Sequence, residues 1–581
     1  MFIGIGMPLP DLANLPGPSR PGGGGGIVDP VPFKAKVAVT SGQEKTFKIS
    51  RLSKTVAGDV TIDWGDGTIE QITGSNNIDN VTHVYNSGNV GTTNNPTVSI
   101  GKDGDVGIIG GYYWNLSFLG QPSNTDFLEI QQWGTAPIST TLNFSQSQSL
   151  QLTATDKPTL NAGASLSSTF SGCTVFTGNE SMKTWDVTNV TNISSMFRDS
   201  PKFNVSALDW DVSGVTSFST MFYNAASNAS NKGSFNGRLD NWDFKPATTI
   251  SNFMHGQAFN NDSVNTWDVS TIQLFSSSFR FCENFNQDLN NWDVSSATNI
   301  SSMFNDTKMN GDISNWVTDN VTNMSNLFRA SSLDVNNAGI NTNGIYWNTG
   351  NVTNMSLMFY GIQQQIPSIS NWDTSKVANF SNFGATAATG FNPDIESWDV
   401  GGGTNFGSTF TTARGFNKDL SSWDVSNGTI FQNMLSTTES NFEIGQWDMS
   451  SAITAYRVLL FANSFNQNAS DMIIGANITR LDFFFYANAN LGINAINFTD
   501  TIVGWAVQVY DNSAPFNVNA ANITLNVDLI DARTSDNASG QTYAAKYGAK
   551  WTATGWTNAG DALTFLTTPT ASNGAGWTYS T

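Results

Sequence analysis

Tryptophan recurs along this chain at a nearly fixed interval. The positions are Trp185, Trp210, Trp242, Trp267, Trp292, Trp316, Trp347, Trp372, Trp398, Trp423 and Trp447, with successive spacings of 25, 32, 25, 25, 24, 31, 25, 26, 25 and 24 residues. A fixed period of about 20–50 residues implies a stacked array, because one such unit cannot bury its apolar face alone and neighbouring units can. A further coil without tryptophan is expected near Met472.

One unit runs Trp292-Asp293-Val294-Ser295-Ser296-Ala297-Thr298-Asn299-Ile300-Ser301-Ser302-Met303-Phe304, after the link Phe285-Asn286-Gln287-Asp288-Leu289-Asn290-Asn291. Alternation from Asp288 to Val294 predicts a short strand. Ile300, Met303 and Phe304 at i, i+3 and i+4 predict one face of a helical or 3₁₀ segment, started by Ser295 or Thr298. Asn192, Asn323 and Asn354 recur in T-N-[MI], so a ladder of side-chain amides is expected beside the tryptophan column.

The pattern WDVSxVTNMSxMF…FNQDLSxW resembles the bacterial surface protein repeat of BspA-type and mycoplasma surface proteins, a relative of leucine-rich repeats. It covers residues ~127–495, with eleven tryptophan-anchored copies. The resemblance implies a right-handed solenoid with an adhesive or structural duty. Trp316 is followed by Val317 and Trp347 by Asn348, so the Asp after Trp is not essential to a coil.

Residues 31–105 read as all-β. VPFKAKVAVT and KTFKIS alternate, and VTIDWGDGTIEQI gives strand, tight turn and strand. In Trp64-Gly65-Asp66-Gly67-Thr68 the glycines supply positive φ and Asp66 bonds the following amides. The string DWGDGT, then His83-x-Tyr85, then TVSI resembles the PKD-type immunoglobulin-like fold, whose members are spacers or binding modules on extracellular proteins. Asp63 and Asp66 are candidate calcium ligands as well as turn residues. The expected fold is therefore β-rich and mixed: an immunoglobulin-like β-sandwich over 31–105, then a leucine-rich-repeat-like solenoid of ~25-residue coils over 106–495. Residues 1–30, with five glycines at Gly22 to Gly26, are expected to be a flexible tether or anchor, and 496–581, with the helical pattern DTIVGWAVQVY, a cap for the open end of the stack.

The two long spacings add six or seven residues at the same place in the coil, after Phe222 and after Phe328. Insertions of this kind map to loops on one face. They make Asn228, Asn231, Lys232, Asn336, Asn337 and Asn341 candidate binding-loop residues. At ~4.8 Å per coil, twelve to fourteen coils give a rod of roughly 55–70 Å. Cys173 and Cys282 lie four coils apart, about 19 Å at that spacing, too far for a disulfide. Two free, buried thiols follow.

Composition and motifs narrow the function. The chain of 581 residues has 26 Lys+Arg against 46 Asp+Glu, a net charge of −20, which disfavours nucleic acid and anionic membrane as partners. Only 12% of residues are charged, so polarity comes from Asn, Ser, Thr and Gly, a surface common in proteins that stack or bind sugars. No uninterrupted apolar run of ~18 residues marks a membrane span. Two histidines, His83 and His255, and the lack of HExxH, CxxC, P-loop or G-x-S-x-G patterns leave no His-rich metal site, no cofactor expected and only paired carboxylates as a catalytic option. The Asp after each repeat Trp is expected to be architectural, and no enzymatic activity is expected. With no secretory signal in MFIGIGMPLPDLANLPGPSR, the first expectation is a bacteriophage virion component (fibre, decoration or receptor-binding protein) at the virion surface. It would hold other virion or surface proteins through its N-terminal segment, with a host-surface glycan or protein as receptor and a homo-oligomer in view. The alternatives are a bacterial cell-surface adhesin and a glycan depolymerase on the same scaffold.

Overall fold

A computed structural model of the protein describes most of residues 31–101, 114–117, most of 127–225, 232–331 and 347–481, and short pieces at 497–506, 524–526, 561 and 578–580. All structural statements here concern those residues. The expected 1–30 tether lies outside them, as does most of 496–581.

The protein is β-rich, with small sheets and little helix. Its first strands are β1 (Phe33–Val37), β2 (Lys45–Ser53), β3 (Val60–Asp63), β4 (Ile69–Ile72), β5 (Asn77–Tyr85), β6 (Thr97–Ile100) and β7 (Trp114–Ser117). Then come β8 (Phe127–Gln132), β9 (Ile138–Asn143), β10 (Gln151–Leu152), β11 (Ala164–Ser165) and β12 (Val190–Asn192). In β1 the alternation of FKAKV turns Phe33, Ala35 and Val37 inward and leaves Lys34 and Lys36 half-exposed, the period-2 pattern of a strand with one buried face.

These strands form two six-stranded sheets, ordered β10-β8-β1-β6-β3-β4 and β12-β11-β9-β7-β2-β5. Pairing is antiparallel among β1 to β7 and changes to parallel at β7/β9, β8/β10, β9/β11 and β11/β12. Both sheets thus cross from residues before 105 into residues after 106. The buried apolar residues form one continuous cluster from Phe33 to Ala506.

The expected turn between β3 and β4 is present. Gly65 and Gly67 have φ of +77° and +92°, Trp64 N–H donates to the Thr68 carbonyl, and Asp66 Oδ1 accepts from Thr68 N–H. A side chain at Gly65 would collide with the Thr97 carbonyl, so this position takes glycine for space as well as for φ.

The repeat is built differently from the strand and helix expected. Asp288–Val294 is not a strand; Trp292 N–H closes a turn on the Leu289 carbonyl. Coils pair instead at single residues. Parallel bridges run Leu274↔Asn299, Asn299↔Asn323, Asn323↔Asn354, Asn354↔Asn379 and Asn379↔Asn405. The segment Ile300–Asp306 is not helical either, because its amides alternate between two partners. Ile300, Ser302, Phe304 and Asp306 donate to Asn323, Ser325, Leu327 and Arg329 in the next coil, while Met303 and Asn305 donate back to Ile300 and Ser302 in their own. Each buried amide is satisfied, half of them by the neighbouring coil. This geometry puts Ser302 and Asp306 in the left-handed region, at φ +57° and +56°. The same two positions recur as Ser277 and Phe281, Asn326 and Ala330, Asn382 and Thr386, Ser408 and Thr412, and Asn433 and Thr437. A left-handed non-glycine residue costs about 1 kcal/mol, a cost the coil-to-coil bonds offset.

Two asparagine-type turns complete the coil. Oδ1 of Asn299, Asn323, Asn354 and Asn379 each accepts from the N–H two residues on. The column of asparagines is therefore joined through backbone bridges, with each side-chain oxygen spent locally, rather than through amide-to-amide bonds. The carboxylate after Trp makes the second turn, as in Asp293 Oδ1 to Ser295 N–H.

At the far end, the described positions within 497–506 are helical, as DTIVGWAVQVY predicts. Thr501 Oγ1 accepts from Ala469 N–H, Asp500 accepts from the Asn468 amide, and Trp505 Nε1 donates to the Ala469 carbonyl. Among the described residues no helix is long and apolar enough to cross a membrane.

Candidate functional site

The tryptophan column fixes the height of every other side chain. Ring pairs Trp185–Trp210, Trp210–Trp242, Trp267–Trp292, Trp292–Trp316, Trp316–Trp347, Trp347–Trp372 and Trp372–Trp398 stack with centroids 5.8–6.4 Å apart. Phe244 leans on Trp267 at 5.0 Å where the column shifts. Further on, Phe410 lies 6.1 Å from Trp423. The indole N–H of a coil donates to a carbonyl of the coil before. Trp292 bonds Val264, Trp316 bonds Leu289, Trp347 bonds Ile313, Trp423 bonds Ile395 and Trp447 bonds Leu420. In these coils the acceptor lies three residues before the preceding tryptophan. Met472 occupies the tryptophan position of the next coil, its N–H on the Ala469 carbonyl, and Trp505 bonds that same carbonyl. The tryptophan-free coil near Met472 is therefore present. Trp185 opens the column with a buried Nε1 that has no acceptor, and Trp133 meets it edge-on at 5.3 Å.

The carboxylates that could have served as a catalytic pair are spent on turns. Asp186, Asp211, Asp243, Asp268, Asp293, Asp373, Asp399, Asp424 and Asp448 each accept from the backbone N–H two residues on. Hydrogen bonds from Ser213, Ser375 and Ser426 hold Asp211, Asp373 and Asp424 below the ordinary carboxylate range. Among the described residues no three His, Cys, Asp or Glu side chains gather as metal ligands would.

At the β3–β4 turn, His83 stacks on Trp64 at 4.7 Å and its Nε2 lies 2.8 Å from Asp66 Oδ2. Burial would raise the Asp66 carboxyl, but the bonds from His83 and Thr68 overcome it and hold the group low. Asp63 Oδ1 accepts from Gly65 N–H. The two candidate calcium ligands thus each hold a turn amide. Cys173 and Cys282 are free and buried, as their spacing implies. Each Sγ donates to a carbonyl of an earlier coil, Phe144 at 3.3 Å and Met254 at 3.0 Å, and burial pushes both thiols up to about 12.

One further row of side chains takes no part in these turns, though Arg198 pairs with Asp199. It is the residue that follows the Phe or Met ending each Ser-rich turn: Arg198, Tyr223, His255, Arg280, Asn305, Arg329 and Tyr360. Their carbonyls accept one coil after another, from the N–H of Asp199, Asn224, Gly256, Phe281, Asp306 and Ala330 for Tyr223 through Tyr360, so the row keeps one register. Arg198 lies over Tyr223 at 5.3 Å, Arg280 over Phe281 at 4.6 Å and Arg329 over Tyr360 at 5.0 Å, each a cation–π contact. His255 sits between Tyr223, at 4.5 Å, and Phe281, at 5.3 Å. Burial, then the nearby Arg280 charge, pushes His255 down to about 4, so it is neutral at pH 7.

Of the predicted loop residues, Asn228, Asn231, Asn336, Asn337 and Asn341 lie outside the described residues. Lys232 is described, and its ammonium contacts the Glu283 carboxylate beside this row, without hydrogen-bond geometry. The row itself was not anticipated. Its signal is the recurrence of Arg, Tyr and His directly after the Phe or Met that ends the turn, in an otherwise cation-poor repeat.

The repeat matches three times in tandem, over residues 138–236, 227–341 and 332–443, the family described as Mycoplasma protein of unknown function, DUF285. No curated protein and no solved structure matches the chain. With more than half of its length so matched, this chain belongs to that family, the BspA-like mycoplasma repeat type that its tryptophan-anchored coils resemble.

Proposed function

We propose that the chain is a non-enzymatic, surface-exposed adhesion or structural protein, a leucine-rich-repeat-like solenoid preceded by a PKD-like immunoglobulin-fold domain. The observation that carries this reading is the division of labour within the coil. The repeated carboxylates and asparagines are consumed in turns, and the indoles and thiols in the core. The Arg/Tyr/His row is left to face a partner. A glycan depolymerase would need two carboxylates roughly 5–10 Å apart and free to act, and the repeated Asp residues are already engaged. The carrier we propose is a bacteriophage virion, with the chain as a fibre, decoration or receptor-binding component.

The test has two arms. Immunogold labelling of purified virions and of intact cells should decorate the virion; label confined to cells moves the protein to a bacterial surface. Incubation of the purified chain with host capsule should release no reducing ends, and their release would overturn the non-enzymatic reading.

A further inference from the structure

We propose that the row from His255 to Arg329 is a binding site for an acidic saccharide, taking its carboxylate on the arginines and its hydroxyls on the polar atoms between them. The inference deepens the adhesive function proposed above and rests on it for its biological role.

Buried polar groups are nearly always hydrogen-bonded, and leaving one unpaired costs about 1–3 kcal/mol. Among the described residues five buried side-chain atoms on this row or beside it have no hydrogen-bond partner: His255 Nδ1, Arg280 Nε, Asn305 Oδ1, Arg329 Nε and Ser331 Oγ. His255 and Asn305 are 5% and 1% exposed, and Ser331 4%. Arg280, Arg329, Lys232, Asp306 and Phe281 beside them are half-buried and reach solvent.

Charge and hydrogen-bonding capacity then select the ligand. Lys232 has Glu283 against it, and Asp306 is the one carboxylate set among Arg280 and Arg329, so three cations face two carboxylates and the group keeps a positive charge. The arginine planes are held by Phe281 and Tyr360, which reduces the entropy lost when a carboxylate binds. The two arginines stand two coils apart, about 10 Å at the strand spacing, with Asn305 and Asp306 between them. A bare sulfate offers acceptors only and would leave Asn305 Oδ1 unpaired. A neutral sugar would leave the arginines unpaired. A ring carrying a carboxylate next to hydroxyls supplies both within one residue. An acidic peptide holds its carboxylates on flexible stems and brings no hydroxyls beside them.

The experiment applies the purified full-length chain to an array of neutral, uronate-bearing, sialate-bearing and sulfated oligosaccharides alongside glutamate-rich peptides. Retention on carboxylate-bearing saccharides is expected. Arg280→Gln with Arg329→Gln should weaken it by about tenfold or more. The single variant Arg329→Gln, checked by circular dichroism, gives the same reading if the pair misfolds. Retention on neutral or sulfated sugars alone, on peptides alone or on nothing overturns the proposal, as does undiminished binding by a folded arginine variant. Because binding is read on the isolated chain, failure here leaves the virion labelling result untouched.

Discussion

From β1 to β7 neighbouring strands exchange hydrogen bonds along their length, as β2 and β5 do from Lys45↔Tyr85 to Ser53↔Asn77. Along the run from Leu274 to Thr454 each coil meets the next through one bridged residue, flanked by turns that send alternate amides inward and onward. In the first region the register is held by many paired residues along a strand. In the second, side chains at fixed heights hold the register: the indole, the asparagine oxygen and the Asp after Trp. The comparison teaches that a β-rich chain can dispense with long strands when each coil supplies donors for its neighbour, at the expense of left-handed residues twice per coil.

The sharpest way to break that comparison is Trp292→Ala. Removing a buried aromatic costs about 3–5 kcal/mol. In a stack whose coils contact mainly their neighbours, hydrogen exchange should show lost protection in the coils of Trp267, Trp292 and Trp316, with residues 45–85 still protected. Uniform loss across both regions would show that the continuous core unfolds as one unit.

Acid separates the two regions next. His255 is lowered in the folded state to about 4, so the unfolded chain binds its proton first. Its contribution is intact above the ordinary histidine value and falls as pH drops from about 6.5 to about 4, by roughly 2–3 kcal/mol at most. Asp66 is a lowered carboxyl, so its contribution is present above about 4 and is lost as pH falls below that. Denaturant midpoints followed against pH should show the repeat weakening first. His255→Gln should flatten the upper limb, and Asp66→Asn the lower.

Gly256 tests the left-handed positions. It has φ +74°, and an added Cβ would lie 2.5 Å from the Asn224 carbonyl oxygen. Gly256→Ala should cost about 1–3 kcal/mol in thermal unfolding. Leu357, at φ +58° and partly exposed, should respond oppositely: Leu357→Gly relieves strain and gains about 0.5–1 kcal/mol. The smallest effect belongs to the exposed turn carboxylates. Asp424→Ala should lose about 0.5 kcal/mol after solvent screening, while Asp424→Asn keeps the acceptor and stays near neutral.

Much of this was legible beforehand. The period located the tryptophan column, the Met472 coil and the free cysteines, because a repeat places identical side chains at identical heights. The WGDGT string located its turn, because glycines at positive φ leave few alternatives. The strand at Asp288–Val294 and the helical face at Ile300, Met303 and Phe304 were misread for one reason. Apolar residues at i, i+3 and i+4 also fit a turn whose amides alternate between two coils, and the second coil's share of those bonds is invisible in a local window. The Arg/Tyr/His row escaped notice because its members differ chemically, and only stacking shows that they are equivalent.

Each middle coil takes hydrogen bonds from the one before and gives them to the one after, as Ile300 to Asp306 do toward Asn323 to Arg329. A duplicated unit placed there would find the same donors and acceptors on both sides. Such a gene can lengthen or shorten its product by whole modules.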